Sequence, residues 1–314
     1  MNSVPQVLWR IMKLVALTFF ILNASFIITE AQTLNATASN LTADSVNPPL
    51  TVLSYNMYLL PPLATFTGKP RRAKRIGDLL RNSDFDIIVF QEAFHGAARR
   101  KIWRRVRDNF PHKLGPANKR WHSFKTNSGI WIVSKIPLEN LAELDFDYCD
   151  GVDCWARKGA LIAEGEFNGQ TFQLLGTHLE AGGDKAMKVT QYEQLDSTLK
   201  AVRKNGVPQI AAGDFNTHKF NDPTQYAKLM RSLEGFEDGE LLSEQKFTSD
   251  SYVNDIKIKR GDKKKQRVID YIFYNPNGVK TKIKRYVRMP RWQWCKDRKD
   301  LSDHFAVEAQ VLFQ

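Results

Sequence analysis

Cysteine is scarce in this chain, with three residues in 314. That excludes a fold held together mainly by disulfides, as in small secreted scaffolds. Cys149 and Cys154, with only Asp-Gly-Val-Asp between them, are spaced to close a small loop in an oxidising compartment, leaving Cys295 unpaired. Three free thiols satisfy the sequence equally well. Long apolar runs are lacking too. The one candidate, residues 14–28, is broken by Asn23 and Ser25 and falls short of the roughly 20 apolar residues of a membrane span. Arg10 and Lys13 stand before it, and Thr29-Glu30-Ala31 offers the small residues of a cleavage site. The expectation is therefore a secretory signal peptide over residues 1–31, with an uncleaved anchor as the alternative. Residues 32–49 are rich in Ser, Thr and Asn and carry two glycosylation triplets, at Asn35 and Asn40, as an exposed linker of a secreted, extracellular protein would.

Acidic residues are outnumbered, 34 against 46 Lys and Arg, for a net charge of +12. The cations concentrate in 99–107, 257–267 and 280–288. Long-range attraction then favours nucleic acid, anionic lipid headgroups or acidic glycans, or the charge merely solvates a face. Charge alone does not choose among these, and nothing in the sequence calls for an obligate protein partner. A hydrophobic fraction of 42% excludes wholesale disorder. Residues 50–314 contain no internal repeat or long linker and are expected to form one catalytic-sized domain.

Short apolar runs over 50–56, 86–92, 129–135, 158–167, 171–178, 208–216, 268–274 and 304–313 are rich in β-branched and aromatic residues and read as strands. Asn168-Gly169 between two of them signals a tight hairpin, since both residues tolerate positive φ. Val189, Tyr192, Leu195, Leu199 and Val202 recur at helical spacing within 184–204, and 70–82, 96–109 and 222–233 show weaker versions. Hairpins mixed with strand–helix–strand units predict an α/β class of α+β sandwich type: two packed mixed sheets with helices outside.

Polar residues gather at the ends of these runs: Asn56, Gln91-Glu92, Thr177-His178, Asp214 with Asn216, Asp270, and Ser302-Asp303-His304. Each alone has a plain structural reading as a cap, a turn former or a satisfied core residue. Together they offer oxygen and imidazole groups without thiols, a set suited to phosphodiester hydrolysis. Glu92 and Asn56 are hard ligands of the kind Mg²⁺ accepts. His178 and His304 with neighbouring carboxylates can move protons near neutral pH. Asp214 and Asn216 are placed to face one phosphate from one strand end.

The strings LSYNMY, VFQEAF, GTHLEA, AGDFNTHK, IDYIF and LSDHFAVEA occur here in the order seen in the endonuclease/exonuclease/phosphatase superfamily, whose deoxyribonuclease I-like fold has four layers. Within it, residues 50–313 resemble the secreted neutral sphingomyelinase C family most, through QEAFHGAARRKIWRRVRDNFPHKLG, GIWIVSKIPL and THLEA. The resemblance implies that Glu92, helped by Asn56, binds a central Mg²⁺, with Mn²⁺ or Co²⁺ as substitutes. It implies that His304 is the general base, oriented by Asp270 or Asp303. His178, Asp214 and Asn216 would stabilise the transition state, and sphingomyelin in a membrane surface would yield ceramide and phosphocholine.

The chain also departs from that family. Its Glu-Asp-Gly-Gly reads Thr126-Asn127-Ser128-Gly129 here, which removes two carboxylates of a peripheral metal site. Bacterial members pair a cysteine near 149 with one after the THL strand. This chain has none there, leaving Cys154 as a substitute partner. The membrane-entering aromatic hairpin is shortened to residues 289–297, with Trp292 and Trp294, and the Pro-rich loop carrying Leu63 is a second candidate for bilayer contact. A secreted nuclease using the same core site on nucleic acid is the rival reading. A non-catalytic binding module is disfavoured by the full set of polar residues.

Overall fold

Two sheets carry the fold of this computed structural model, which describes residues 48–61, 67–119 and 125–314. The expected signal peptide, the linker up to residue 47 with its glycosylation triplets, and Leu63 lie outside those residues. The first sheet has seven strands in the order β3 (His112–Leu114), β4 (Trp131–Ser134), β2 (Ile87–Gln91), β1 (Leu50–Asn56), β16 (Ala306–Phe313), β13 (Thr281–Arg288) and β9 (Glu240–Leu241). The second runs β12 (Asp270–Asn275), β8 (Gln209–Asp214), β7 (Gln170–His178), β6 (Gly159–Phe167) and β5 (Leu138–Asp145). Two short ribbons complete it: β10 (Ser249–Asp250) with β11 (Gln266–Arg267), and β14 (Arg291–Cys295) with β15 (Arg298–Asp300).

Side-chain alternation along each strand builds the layers. In the first sheet Val52, Ile87, Val89 and Ile132 face inward and meet Leu161, Leu174, Ile210 and Ile272 of the second, forming the central core. Their sequence neighbours Leu53, Ile88, Phe90 and Val133 face outward, against α1 (Lys69–Leu80) and α2 (Gly96–Val106). On the other side Ile162, Leu175, Ala211 and Phe273 lie under α3 (Lys185–Val202) and α4 (Pro223–Ser232), through Tyr192, Leu195, Leu199 and Leu229. Gly176 marks where the sheets approach closely. A Cβ there would fall 2.8 Å from Val89 Cγ1 and 3.2 Å from Ile130 Cγ2.

All eight expected strands and all four expected helices form, with ends shifted by a few residues. Asn168 and Gly169 take φ of 50° and 79° in the β6–β7 hairpin, as their side chains allow. The elements that were missed have readable causes. β13 lies in a stretch read only as cationic, yet Ile283, Arg285 and Val287 alternate inward along it while Lys282, Lys284 and Arg288 stay exposed. The charge hid a period of two. The short helix α5 (Asp255–Arg260) is too brief for a periodic signal. It is set by Asn254, whose side-chain oxygen accepts from Ile256 and Lys257 N–H.

Topology delivers the polar strand ends to one rim. β1 and β2 are parallel, so Asn56 and Gln91 end side by side. β7 and β8 are parallel, so His178 and Asp214 do the same, and antiparallel β12 begins there with Asp270 opposite Asp214. β16 runs antiparallel to β1, which places His304, two residues before its start, at the same edge.

Candidate active site

The carboxylate of Glu92 and the imidazole of His304 line one cleft of about 210 Å³, together with His178, Asp214, Asn216 and Lys158. Five segments far apart in sequence therefore converge. Asn56 ties two of them together: its Nδ2 donates to Glu92 Oε1 at 3.0 Å and to Asp214 Oδ2 at 3.0 Å. The Asn56 Oδ1 accepts Tyr58 N–H at 3.1 Å, so this side chain acts mainly as a brace between the two carboxylates. Glu92 itself sits in left-handed backbone, φ 51°, a conformation that is costly for a non-glycine and tends to persist at functional sites. Its Oε2 is buried with no hydrogen-bond partner among the described residues. Burial, then the nearby Asp303 charge, raises its pKa.

His304 is gripped by Asp270. Its Nδ1 lies 3.1 and 3.0 Å from the two Asp270 oxygens and 3.8 Å from Asp214 Oδ2. Burial alone would lower the imidazole pKa, but Asp270, Asp214 and Asp303 outweigh it and push it up to about 10. The sequence left Asp270 and Asp303 as alternative partners of His304, and the geometry selects Asp270. Asp303 Oδ2 instead takes Arg260 Nη2 at 2.9 Å and faces Lys257 Nζ at 3.8 Å. Those cations keep its carboxyl low despite burial.

Asp214 receives Asn216 N–H at Oδ1, 2.9 Å, and lies 3.7 Å from His178 Nε2. Burial and the adjacent Asp270 raise it to about 7. Asn216, with φ 46°, donates from Nδ2 to the Leu179 carbonyl at 3.0 Å. His178 is held well below its usual pKa, by burial first and then by Lys158. Its Nδ1 is buried without a partner among the described residues.

Gln91, Thr177 and Ser302 turn out to be scaffolding. Ser302 Oγ donates to the Asn56 carbonyl at 2.6 Å and accepts His304 N–H at 3.2 Å. Thr177 Oγ1 donates to Gly159 O, and Gln91 Nε2 to Ser54 Oγ.

Lys158 and Asp153 were missed. Lys158 Nζ lies 3.3 Å from His178 Nε2, 2.7 Å from Asp153 Oδ2 and 3.1 Å from Leu179 O, buried at the cleft wall. A lysine before an apolar run carries no signal of its own; only the pairing of β6 with β7 brings it beside His178. Lys257 and Arg267, read simply as members of a basic stretch, also line the cleft.

Two donor sets suit a cation. Glu92 offers an unpartnered buried oxygen, and donor atoms of Asp214, Asp270 and His304 lie within 4.8 Å of one another. These are hard oxygens plus an imidazole, which fit a divalent ion of the Mg²⁺ or Mn²⁺ kind.

The peripheral residues divide. Cys149 and Cys154 form a disulfide and Cys295 is a free thiol. Trp292 is 41% exposed, under the Arg75 guanidinium. Trp294 is a correction to the expected surface aromatic: it is buried at 8% exposure, with its Nε1 donating to Asp300 O at 2.8 Å. Regular alternation would put both rings on one face, but β14 has a register irregularity between Arg291 and Cys295, and only Trp294 is turned inward.

A model of the Endonuclease/Exonuclease/phosphatase family matches residues 53–304. Sphingomyelinase C 2 of Leptospira interrogans serogroup Icterohaemorrhagiae is 27% identical over 274 residues, covering 80% of this chain and 42% of that protein. The chain thus spans less than half the length of that relative. In structure it is similar to sphingomyelinase C from Streptomyces griseocarneus, with TM-score 0.75 and 22% identity over 84% of this chain and 99% of the other. It is similar also to a beta toxin variant of Staphylococcus aureus with bound magnesium ions, with TM-score 0.74 and 22% identity over 83% and 99% of the two chains.

Proposed function

The chain belongs to the Endonuclease/Exonuclease/phosphatase family, and on that premise we propose that it is a secreted, Mg²⁺-dependent phosphodiesterase that hydrolyses sphingomyelin to ceramide and phosphocholine. The observation that carries this reading is the two-oxygen grip of Asp270 on His304 Nδ1, in the same cleft as the unpartnered oxygen of Glu92. The sphingomyelinase relatives and the magnesium of the Staphylococcus aureus toxin variant support the choice of substrate and metal.

With Asp270 on Nδ1, the imidazole keeps Nε2 for the cleft, where it takes a proton from water attacking phosphorus. The bond broken is that between phosphorus and the ceramide oxygen. Asp214, poised near neutrality, is placed to return a proton to that oxygen. His178, with the Lys158 ammonium 3.3 Å away, and Asn216 surround the phosphoryl oxygens. A divalent cation at Glu92 would polarise a phosphoryl oxygen and, through its charge, draw the His304 pKa back toward neutrality.

One observation favours the nuclease reading. A groove of about 650 Å³ sharing Arg267 with the cleft is lined by Lys246, Lys264 and Lys265 and by Phe220 and Tyr252, a mixture suited to backbone phosphates and stacked bases. Phosphocholine release from sphingomyelin vesicles and nicking of plasmid DNA, measured on one preparation with and without chelator, separate the two. Choline-lipid cleavage that is lost in chelator and restored by Mg²⁺ is the expected result. DNA cleavage without it would replace the substrate.

A further inference from the structure

Between β5 and β6 the chain makes a short loop stapled by Cys149–Cys154. Tyr148, Val152 and Trp155 in it are 61%, 84% and 70% exposed, and the latter two are the most exposed large apolar side chains among the described residues. Single exposed apolar residues are ordinary on protein surfaces. Three within eight positions form a patch, and patches mark contact surfaces. The residue between them points the other way: Asp153 reaches Lys158 Nζ at 2.7 Å and Ala181 N–H at 3.1 Å and lines the cleft. The loop is therefore the apolar lip of the catalytic opening.

We infer that this loop docks the protein on the headgroup zone of a choline-phospholipid bilayer, holding the cleft against the diesters it cuts. This rests on the lipid phosphodiesterase reading above. Tyrosine and tryptophan rings settle at headgroup depth, and their faces attract quaternary ammonium groups. The loop's charge selects among bilayers. Among the described residues Asp147 and Asp150 accept from Gln194 Nε2 and Gly183 N–H, not from cations, while Arg157 is paired with Asp145. A locally acidic lip is repelled by anionic lipid and complements the outward trimethylammonium of phosphocholine, although the chain as a whole is cationic.

The loop is also ordered in advance. Besides the disulfide it contains a 3-10 turn, Gly151–Trp155, and the Trp155 carbonyl accepts Thr126 N–H at 2.8 Å. Docking then costs little conformational entropy. Trp292, by contrast, already has a cation over its ring.

The test is the double variant Val152→Ser/Trp155→Ser, whose altered side chains are exposed and leave the core untouched. Binding is read by sedimentation with phosphatidylcholine–sphingomyelin vesicles in chelator, and with phosphatidylglycerol vesicles in parallel. Catalysis is read on soluble p-nitrophenylphosphocholine with Mg²⁺. The expected result is a loss of about tenfold or more in partitioning to choline vesicles, with turnover of the soluble ester unchanged. A wild type that does not bind choline vesicles, a variant that binds them as well as wild type, or a loop-dependent preference for phosphatidylglycerol would each overturn the inference. A wild type that binds choline vesicles through the loop yet releases no phosphocholine would remove the proposed substrate while upholding the docking role.

Discussion

An Asp270→Asn substitution keeps the size of the side chain and removes the charge that holds His304. The His304 pKa lies at about 10 against an ordinary 6.5, which corresponds to on the order of 5 kcal/mol in favour of the imidazolium. Asp270 heads the groups that raise it, through both charge and hydrogen bonding. A hydrogen bond to a charged group contributes about 1.5–3 kcal/mol, so losing it should lower the imidazole pKa by about one to two pH units. A base with a lower pKa is free of its proton at lower pH. The rising acid limb of the pH–rate profile therefore moves down. The plateau falls as well, because an amide can present an N–H to Nδ1 and leave the proton on Nε2, the wrong tautomer for a base. A loss of about 10²–10⁴ in kcat is expected. The assay is initial rate on a soluble choline phosphodiester from about pH 5 to 10 at saturating metal, with a thermal melt to verify folding. The backbone N–H of Asp270 stays bonded to Thr248 Oγ1, so β12 should survive the change. A plateau within about threefold of wild type and an unmoved limb would place the base elsewhere.

Glu92→Gln keeps the shape of the site but removes its unpartnered carboxylate oxygen. Mg²⁺ should raise the melting temperature of wild type through binding linkage and that of the variant far less, and equal shifts in both would take Glu92 out of the cation site. Gly176→Ala forces a methyl group to 2.8 Å from Val89 Cγ1 between the sheets and should cost about 1–3 kcal/mol in urea unfolding, while an unchanged midpoint would show slack in that interface. Replacing Cys149 and Cys154 by Ser opens a five-residue separation and should cost about 2 kcal/mol in denaturant if chain entropy governs the effect. No loss would mean that the loop's backbone hydrogen bonds alone hold it.

The sandwich was legible because burial on both faces leaves a compositional mark. The runs at 86–92, 208–216 and 268–274 are nearly unbroken in apolar residues, since each strand lies between a helix layer and the other sheet. β13 was not legible, because four cations in eight residues mask its three inward positions. The identities of the site residues were also readable: each oxygen or imidazole group ends an apolar run, and the order of those runs resembles one superfamily. Which group serves which was not readable. Asp270 and Asp303 look equivalent beside His304 in sequence, and Trp292 and Trp294 look equivalent in their hairpin.

What the amino-acid order determined by itself was local: where strands and helices form, which polar side chains close each strand, and that Asn168-Gly169 turns the chain. Tertiary structure alone decided the pairings. Antiparallel entry of β12 and β16 sets Asp270 against His304, the basic segment around α5 captures Asp303, and β6 carries Lys158 to His178. The physical reason is range. Backbone propensity and side-chain period act over a few residues, whereas charge and hydrogen bonding act across a few ångströms between atoms that only the packed sheets bring together.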